Sequence, residues 1–343
     1  MRRLAPVLML IFLVPAVSSV NLSGEAINFK AAVQTWFSYA QQEAQEGSGY
    51  GFTLRRVRLT PYGSFSKKIK WSLQMGWDRQ SPKLIEVYLE YLHSKALNFK
   101  VGQFTPPGTI SSTLTSSMKL DFLERPMVSE VWSGINGLSS YRAVGVQVHG
   151  DIVNDKLYYA VMLANPRTTN LFNPGIGAAG YSRDNNGIML WGRLEASLAK
   201  GLKLGAFFGG GKETELSADY KRTTYGAHLF YINKGINFKV EYIAGEYGLE
   251  NNETVYNGYY AVLGYKTGKF EPIVRFDSYT PNDGDPDAVG IEKYNNFTAG
   301  INYYVSKNIK LQANYVYRDE KVGIAIDNKL KNNIFYVCFQ FTH

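Results

Sequence analysis

From about residue 26 to its last residue the chain alternates apolar and polar positions with a period of two. In 84–92, Val87, Leu89 and Tyr91 share one face, and Glu86, Tyr88 and Glu90 share the other. In 235–246, Ile236, Phe238, Val240 and Tyr242 oppose Asn237, Lys239 and Glu241. In 308–318, Ile309, Leu311, Ala313, Tyr315 and Tyr317 oppose Lys310, Gln312, Asn314 and Arg318. No helical period of comparable length interrupts them. Sixteen such segments are predicted as strands, near 26–40, 50–65, 68–78, 84–92, 97–104, 142–151, 156–165, 187–198, 201–211, 220–231, 235–246, 255–266, 269–279, 293–305, 308–318 and 331–342.

The connections alternate between two kinds. Seven are short, near 66–67, 93–96, 152–155, 199–200, 232–234, 267–268 and 306–307. The eight between them are generally longer, and the longest spans 105–141. A sixteen-stranded antiparallel transmembrane β-barrel with both termini on one side requires this count. Such barrels place short turns in the periplasm and long loops outside. Soluble sandwiches also alternate, but they have no reason to segregate loop lengths. The predicted class is therefore all-β, an outer-membrane barrel of sixteen strands. No stretch after the leader reaches eighteen consecutive apolar residues, so no membrane helix competes with it.

Residues 1–19 read as a secretory signal: Arg2 and Arg3, an apolar run Leu4–Val17, then Ser18 and Ser19. The remaining 20–343 read as one barrel domain. Removing the leader takes the formal charge from +8 to +6, with 35 basic against 29 acidic residues. Apolar residues at 45% and aromatic residues at 14% exclude a disordered chain. The lone Cys338 excludes a disulfide scaffold and a multi-cysteine metal cluster.

Several segments together resemble the phosphate-selective porin O and P family. They are 51–63 (GFTLRRVRLTPYG), 69–78 (IKWSLQMGWD), 86–108 (EVYLEYLHSKALNFKVGQFTPPG), 114–126 (LTSSMKLDFLERP), 145–150 (GVQVHG) and 158–165 (YYAVMLAN). The resemblance implies a homotrimeric pore in the bacterial outer membrane, with 105–141 folded inward as a constriction loop. It leaves open whether the pore passes phosphate, other small anions, or solutes without preference.

Strand parity supplies the lumen. It turns twelve bases inward: Lys30, Arg56, Arg58, Lys70, Lys100, Arg193, Lys203, Arg222, Lys239, Arg275, Lys310 and Arg318. Seven acids share that side: Asp78, Glu86, Glu90, Glu195, Glu241, Glu271 and Asp277. A basic, water-filled bore concentrates anions, and an arginine fork matches phosphate oxygens. Pairs such as Arg193 with Glu195 or Lys239 with Glu241 read instead as a solvated inner-wall lattice.

The sharpest cluster is Arg55, Arg56 and Arg58. With Val57 and Leu59 facing lipid, Phe52 and Leu54 fall on the inward parity. This implies a bulge, or a position above the bilayer, with Arg55 at the rim or turned inward at the slip. Two roles fit: an anion site in the pore, or a rim patch holding lipopolysaccharide phosphates. In the loop, Lys119 and Arg125 are the cations expected to approach the strand arginines. Glu124 and Arg125 could alternatively pin the loop to the wall, and Asp121 and Glu124 at the gap would weaken selectivity. Lysines in or beside the short turns (Lys67, Lys95, Lys156, Lys200, Lys234, Lys266, Lys307) read as turn solvation. Tyr242, Tyr265, Tyr303, Tyr315 and Tyr317 fit the aromatic girdles at the lipid headgroups.

Enzymatic motifs fail. Gly175–Gly180 has the dinucleotide glycine spacing without a strand before it or a helix after it. Gly209-Gly210-Gly211-Lys212 lacks the first glycine and the Ser/Thr of a phosphate loop. His93, His149, His228 and His343 form no local metal-ligand pair. No cofactor, no metal and no nucleic-acid partner is expected. The expected function is passive diffusion of small hydrophilic solutes with an anion, and best of all phosphate, preference. A non-selective porin is the main competitor; a barrel enzyme or an adhesin stands further off.

Overall fold

The computed structural model describes residues 19–22, 25–42, 47–78, 81–138, 141–166, 185–215, 218–250, 252–283, 291–322 and 332–343. Residues 1–18 of the expected leader 1–19, and the Gly175–Gly180 motif, lie outside them. A short strand β1 (Ser19–Leu22) pairs with the start of β2 (Glu25–Gln42). There follow β3 (Gly47–Ser64), β4 (Ile69–Asp78), β5 (Ser81–Leu92), β6 (Asn98–Phe104), β7 (Ala143–Ile152), β8 (Leu157–Ala164) and β9 (Asn185–Ala199). The remainder are β10 (Leu202–Glu215), β11 (Ala218–Asn233), β12 (Ile236–Leu249), β13 (Asn252–Tyr265), β14 (Phe270–Thr280), β15 (Ile291–Tyr304), β16 (Ile309–Val322) and β17 (Ile334–Thr342).

Each strand from β2 to β17 pairs antiparallel with its sequence neighbours. The ring closes where β17 meets β2, from Ile334 opposite Ala40 to Thr342 opposite Ala32. All sixteen predicted strands are present, making a closed sixteen-stranded barrel, and closure leaves no unpaired edge within the bilayer. The strands run further on the long-loop side than predicted. β10 and β11 approach within two residues of each other, as do β4 and β5, so part of the expected loop length is strand.

Burial is inverted relative to a soluble protein. The outward positions are apolar and exposed, among them Leu89, Val101, Val146, Leu163, Leu194, Phe208, Leu263, Phe297 and Phe339. Gln34, Glu241, Asp277, Asn302 and Gln312 are buried inside. Tyr242, Tyr265, Tyr315 and Tyr317 are exposed on the outer face, where girdle residues belong. Four register shifts interrupt the ladders of the described strands, and two of them bear on the site. Arg55 is the extra residue of β3 between the pairs Gln34–Arg56 and Thr35–Leu54. Ile85 is the extra residue of β5 between Gln74–Glu86 and Met75–Leu84.

The connection 105–142 carries structure that alternation did not reveal: a π turn at Ile110–Leu114 and a helix α1 (Met127–Ile135). Val128 and Trp132 are one turn apart and fully buried, with Met127, Val131 and Ile135 packed beside them. Pro126 precedes the first turn, and Asp277 Oδ1 accepts from the Met127 amide at 2.9 Å, which occupies one orphan helix donor. Asn136 caps the end, and Gly137 follows at φ 68°, in the left-handed region.

Candidate constriction and anion site

The loop lies inside the barrel, held by side chains from many strands. Arg193 donates to the Gly108 carbonyl at 3.0 Å, Arg222 to Ile135 at 3.1 Å, Arg275 to Glu124 at 2.8 Å and Lys310 to Leu120 at 3.2 Å. Asn302 and Gln312 both donate to the Asp121 carbonyl, Gln340 donates to Met118 and Gln34 to Ser117. Wall acceptors meet loop amides: Glu241 takes Ile110 N–H at 2.6 Å, and Asn314 takes Leu123 N–H at 2.8 Å. Lys239 and Asn237 grip the Asp121 carboxylate at 2.6–2.8 Å. These anchors come from β2, β9, β11, β12 and β14–β17.

The lumen bases therefore divide. Arg193, Arg222, Arg275 and Lys310 are buried under the loop and serve its carbonyls, in addition to carboxylate partners at Glu195, Glu213 and Asp277. This corrects the expectation that they line open water. The cause is the loop backbone: with little regular structure, its carbonyls need donors from the wall. Lys30, Lys70 and Lys100 sit towards the short turns, away from the loop. Lys30 lies over the Tyr62 ring at 4.3 Å, Lys70 is exposed opposite Glu90, and Lys100 is 3.8 Å from Glu90. Arg318 is inward and half-buried near the long-loop end of β16.

On the long-loop side of the constriction a cavity of about 400 Å³ collects six bases against two acids. The bases are Arg55, Arg56, Arg58, Lys83, Arg125 and Arg142, and the acids Asp78 and Glu130. The bulge turns Arg55 inward, so three arginines within four residues face one space. Arg58 is bound on both sides of its fork by Asp78, at 2.5 and 2.9 Å. Arg142 is likewise on Glu86, at 2.7 and 3.1 Å.

The other three arginines are short of acceptors. Arg56 is buried, donates to the neutral Gln34 Oε1 at 2.9 Å and lies 5.3 Å from the Trp36 ring. Arg125 donates to the Ser111 carbonyl at 2.9 Å and sits 4.5 Å over the Tyr141 ring. Arg55 lies over Trp36 at 5.1 Å, and its nearest carboxylate is Glu124 at 3.7 Å, beyond hydrogen-bond length. Arg55 Nε and Glu124 Oε2 are both buried without a hydrogen-bond partner among the described residues. Burial pushes the Glu124 carboxyl above its ordinary range, against the pull of Arg55. Burial also holds the Tyr141 hydroxyl well above its ordinary range, so it stays protonated and donates to the Glu130 carbonyl at 3.3 Å.

Of the two loop cations, Arg125 reaches the strand arginines. Lys119 does not. It lines a second cavity of about 510 Å³ on the short-turn side, with Arg193, Lys203 and Lys239. Arg125 ties one part of the loop to another; Arg275 is what pins Glu124 to the wall, through its carbonyl. Asp121, which would oppose anions if it lined a gap, is neutralised by Lys239. Lys83 and Arg142 were not among the predicted site residues. Lys83 lies before the predicted strand 84–92; the strand extends back to Ser81, and the Ile85 bulge turns Lys83 to the inner face. Among the described residues no three His, Cys, Asp or Glu groups are placed to hold a metal ion.

The same barrel occurs in solved structures of low identity. The anion-selective porin from Comamonas acidovorans is 13% identical, with 93% of this chain and all of that chain aligned at a TM-score of 0.70. The outer membrane channel DcaP of Acinetobacter baumannii is 12% identical, over 95% and 100%, at 0.68. In-vitro folded OmpT of Vibrio cholerae is 13% identical, over 95% and 100%, at 0.64. No curated protein sequence matches the chain. The sequence model of one family, phosphate-selective porin O and P, matches residues 28–190 and 206–342. That match spans most of the barrel, including the arginine strand and the loop, and the chain belongs to the phosphate-selective porin O and P family of the bacterial outer membrane.

Proposed function

We propose that this porin passes small hydrophilic solutes by passive diffusion, prefers anions, and takes phosphate best among simple inorganic ions. The observation that carries the reading is the acceptor-poor cluster of Arg55, Arg56 and Arg125 around a water-accessible cavity. Like charges held this close repel one another, and an entering anion relieves that repulsion. Arg56 already has a partial partner in Gln34, so the anion replaces weak contacts rather than a strong ion pair. Binding stays shallow enough to permit exit, as conduction requires. The Comamonas neighbour, named as anion-selective, supports the same preference.

A channel rather than an enzyme is supported by the family, whose sequence model matches most of the chain. His149 meets Glu90, and His228 meets Arg193 and Glu195. Assembly as a homotrimer, in contact with lipopolysaccharide, and export by cleavage near Ser19 complete the reading. They rest on the family resemblance and the leader pattern.

Planar-bilayer recording in a salt gradient tests it. The reversal potential should report chloride permeating above potassium, and phosphate should reduce the chloride current. Arg56→Ala should lower the permeability ratio. Potassium permeating above chloride in the wild type would refute the anion preference. A second reading, a weakly selective pore, is favoured by Arg58–Asp78, Arg142–Glu86 and Lys100–Glu90, which cancel three wall charges. A ratio near one, unmoved by Arg56→Ala, would select it.

A further inference from the structure

The cavity on the short-turn side differs in character from the arginine cavity. Apolar side chains face it from two elements. Leu114 of the π turn is 44% exposed, and Ile232 near the end of β11 is 51% exposed. On β11, Tyr225 and Ala227 face lipid while His228 is buried inside, so Phe230 and Ile232 point into the bore. The Phe230 ring stacks 6.0 Å from His228 and lies 5.8 Å from the Lys203 ammonium. These groups meet neither lipid nor a packed core. They face water, where apolar surface gains only when a solute covers it.

Charge lies beside this apolar surface. The Lys119 ammonium has no hydrogen bond or ion pair among the described residues, and it projects from the loop close in sequence to Leu114. Lys203 donates to Glu195 at 2.8 Å but remains 42% exposed, with further N–H groups free to donate. Arg193 and Lys239 are occupied by Glu195 and Asp121, and Asp151 and Glu195 are the acidic members of the lining. At about 510 Å³ the cavity is within the size range of small-molecule sites.

We propose that the short-turn-side cavity is a binding site for small organic anions that carry an apolar ring or chain. The anionic group sits at Lys119 and Lys203, and the apolar body lies against Leu114, Phe230 and Ile232. The proposal rests on the porin reading and adds to it a solute class that inorganic phosphate does not represent. The site would hold such solutes after, or before, the constriction, on the side of the short turns.

Benzoate and acetate separate the two contributions, since they share a carboxylate and differ in the apolar body. Chloride current is recorded across oriented wild-type channels while each is added to the short-turn side. Benzoate should reach half-block at a concentration about tenfold below acetate, the effect of covering part of one ring. Leu114→Asn and Phe230→Ser, on different elements, should each bring benzoate to the acetate level. Lys119→Gln should weaken both carboxylates. Equal block by benzoate and acetate, or benzoate discrimination that survives both apolar substitutions, would overturn the site. Block from the long-loop side alone would also overturn it. In every case the wild-type chloride-to-potassium ratio separately reports whether the anion reading itself stands.

Discussion

Trp132 is the residue on which the seating of the loop depends most. It is fully buried, packs edge-on against Trp191 at 5.5 Å and Phe207 at 6.2 Å, and donates its indole N–H to Thr224 Oγ1 at 3.0 Å. Truncating such a side chain to alanine costs about 3–5 kcal/mol through lost burial and the cavity left behind. The hydrogen bond adds little, because Thr224 Oγ1 still receives Tyr256 O–H at 2.9 Å. The barrel wall has its own ladders and does not depend on the indole, so the loss falls on the equilibrium between seated and released loop. At about 1.4 kcal/mol per factor of ten, a loss near 4 kcal/mol shifts that ratio by about a thousandfold.

Trp132→Ala should therefore leave a folded barrel with a wider, noisier pore. Single-channel recording should show a higher conductance with flicker between levels, and trypsin should cleave after Lys119 where the wild type resists. Unchanged conductance together with unchanged trypsin resistance would refute the argument, since the loop would then be held without the indole. Failure of the variant to assemble would refute it differently, by showing that the wall needs the loop in order to close.

Gly108→Ala probes the same seat from the other side. A Cβ there would stand 2.7 Å from the Trp132 ring, so the substitution should raise conductance alone but add almost nothing to Trp132→Ala in a double-mutant cycle. The pH profile follows from Glu124, whose carboxyl is raised by burial. A seated loop then binds a proton more readily than a released one, so seating strengthens as pH falls through the raised value and weakens as pH rises. Protonation also removes the negative charge beside Arg55, so the chloride-to-potassium ratio should climb on acidification; Glu124→Gln should give a high ratio without the climb, and an unaltered slope would exclude Glu124. Deleting Arg55 removes the bulge residue while every other β3 side chain keeps its face. The shortened protein should fold, with a reduced ratio; a melting temperature lowered by more than about 10 °C would contradict the parity argument.

The strands were legible because lipid and water impose opposite demands on alternate residues, and a transmembrane strand has no other way to meet both. The bulge at Arg55 was legible for the same reason: Phe52 and Leu54 on an inward parity signalled a slip, and both pair outward of it in the register. Lys83 has no predicted face because it lies before the predicted strand 84–92; the strand in fact begins at Ser81, and the bulge at Ile85 then turns Lys83 inward. Helix α1 escaped because nine residues inside a loop are too short for a period to stand out, and its burial depends on Trp191, Phe207 and Tyr256 from distant strands. Lys119 was assigned to the arginine cluster because loop sequence carries no parity. Only the folded path of 115–125 sends Arg125 to one side of the constriction and Lys119 to the other.

That division bears on how basic residues in such a sequence are read. A loop folded into a barrel brings backbone carbonyls to a depth where unpaired polar groups are costly. Side chains long enough to cross from wall to loop then become structural donors, as Arg193, Arg222, Arg275 and Lys310 do. Counting every inward base therefore overstates the field on a permeating ion. What faces open space on the long-loop side is the Arg55, Arg56 and Arg125 cluster with Lys83, and on the short-turn side Lys119 and Lys203. The two groups should separate in the order of their effects. Removing an anchor such as Arg275 should first alter conductance and noise, through the loop. Removing Arg56 should first alter the permeability ratio at nearly constant conductance. A common response to both substitutions would mean that selectivity and loop seating are one property of this pore.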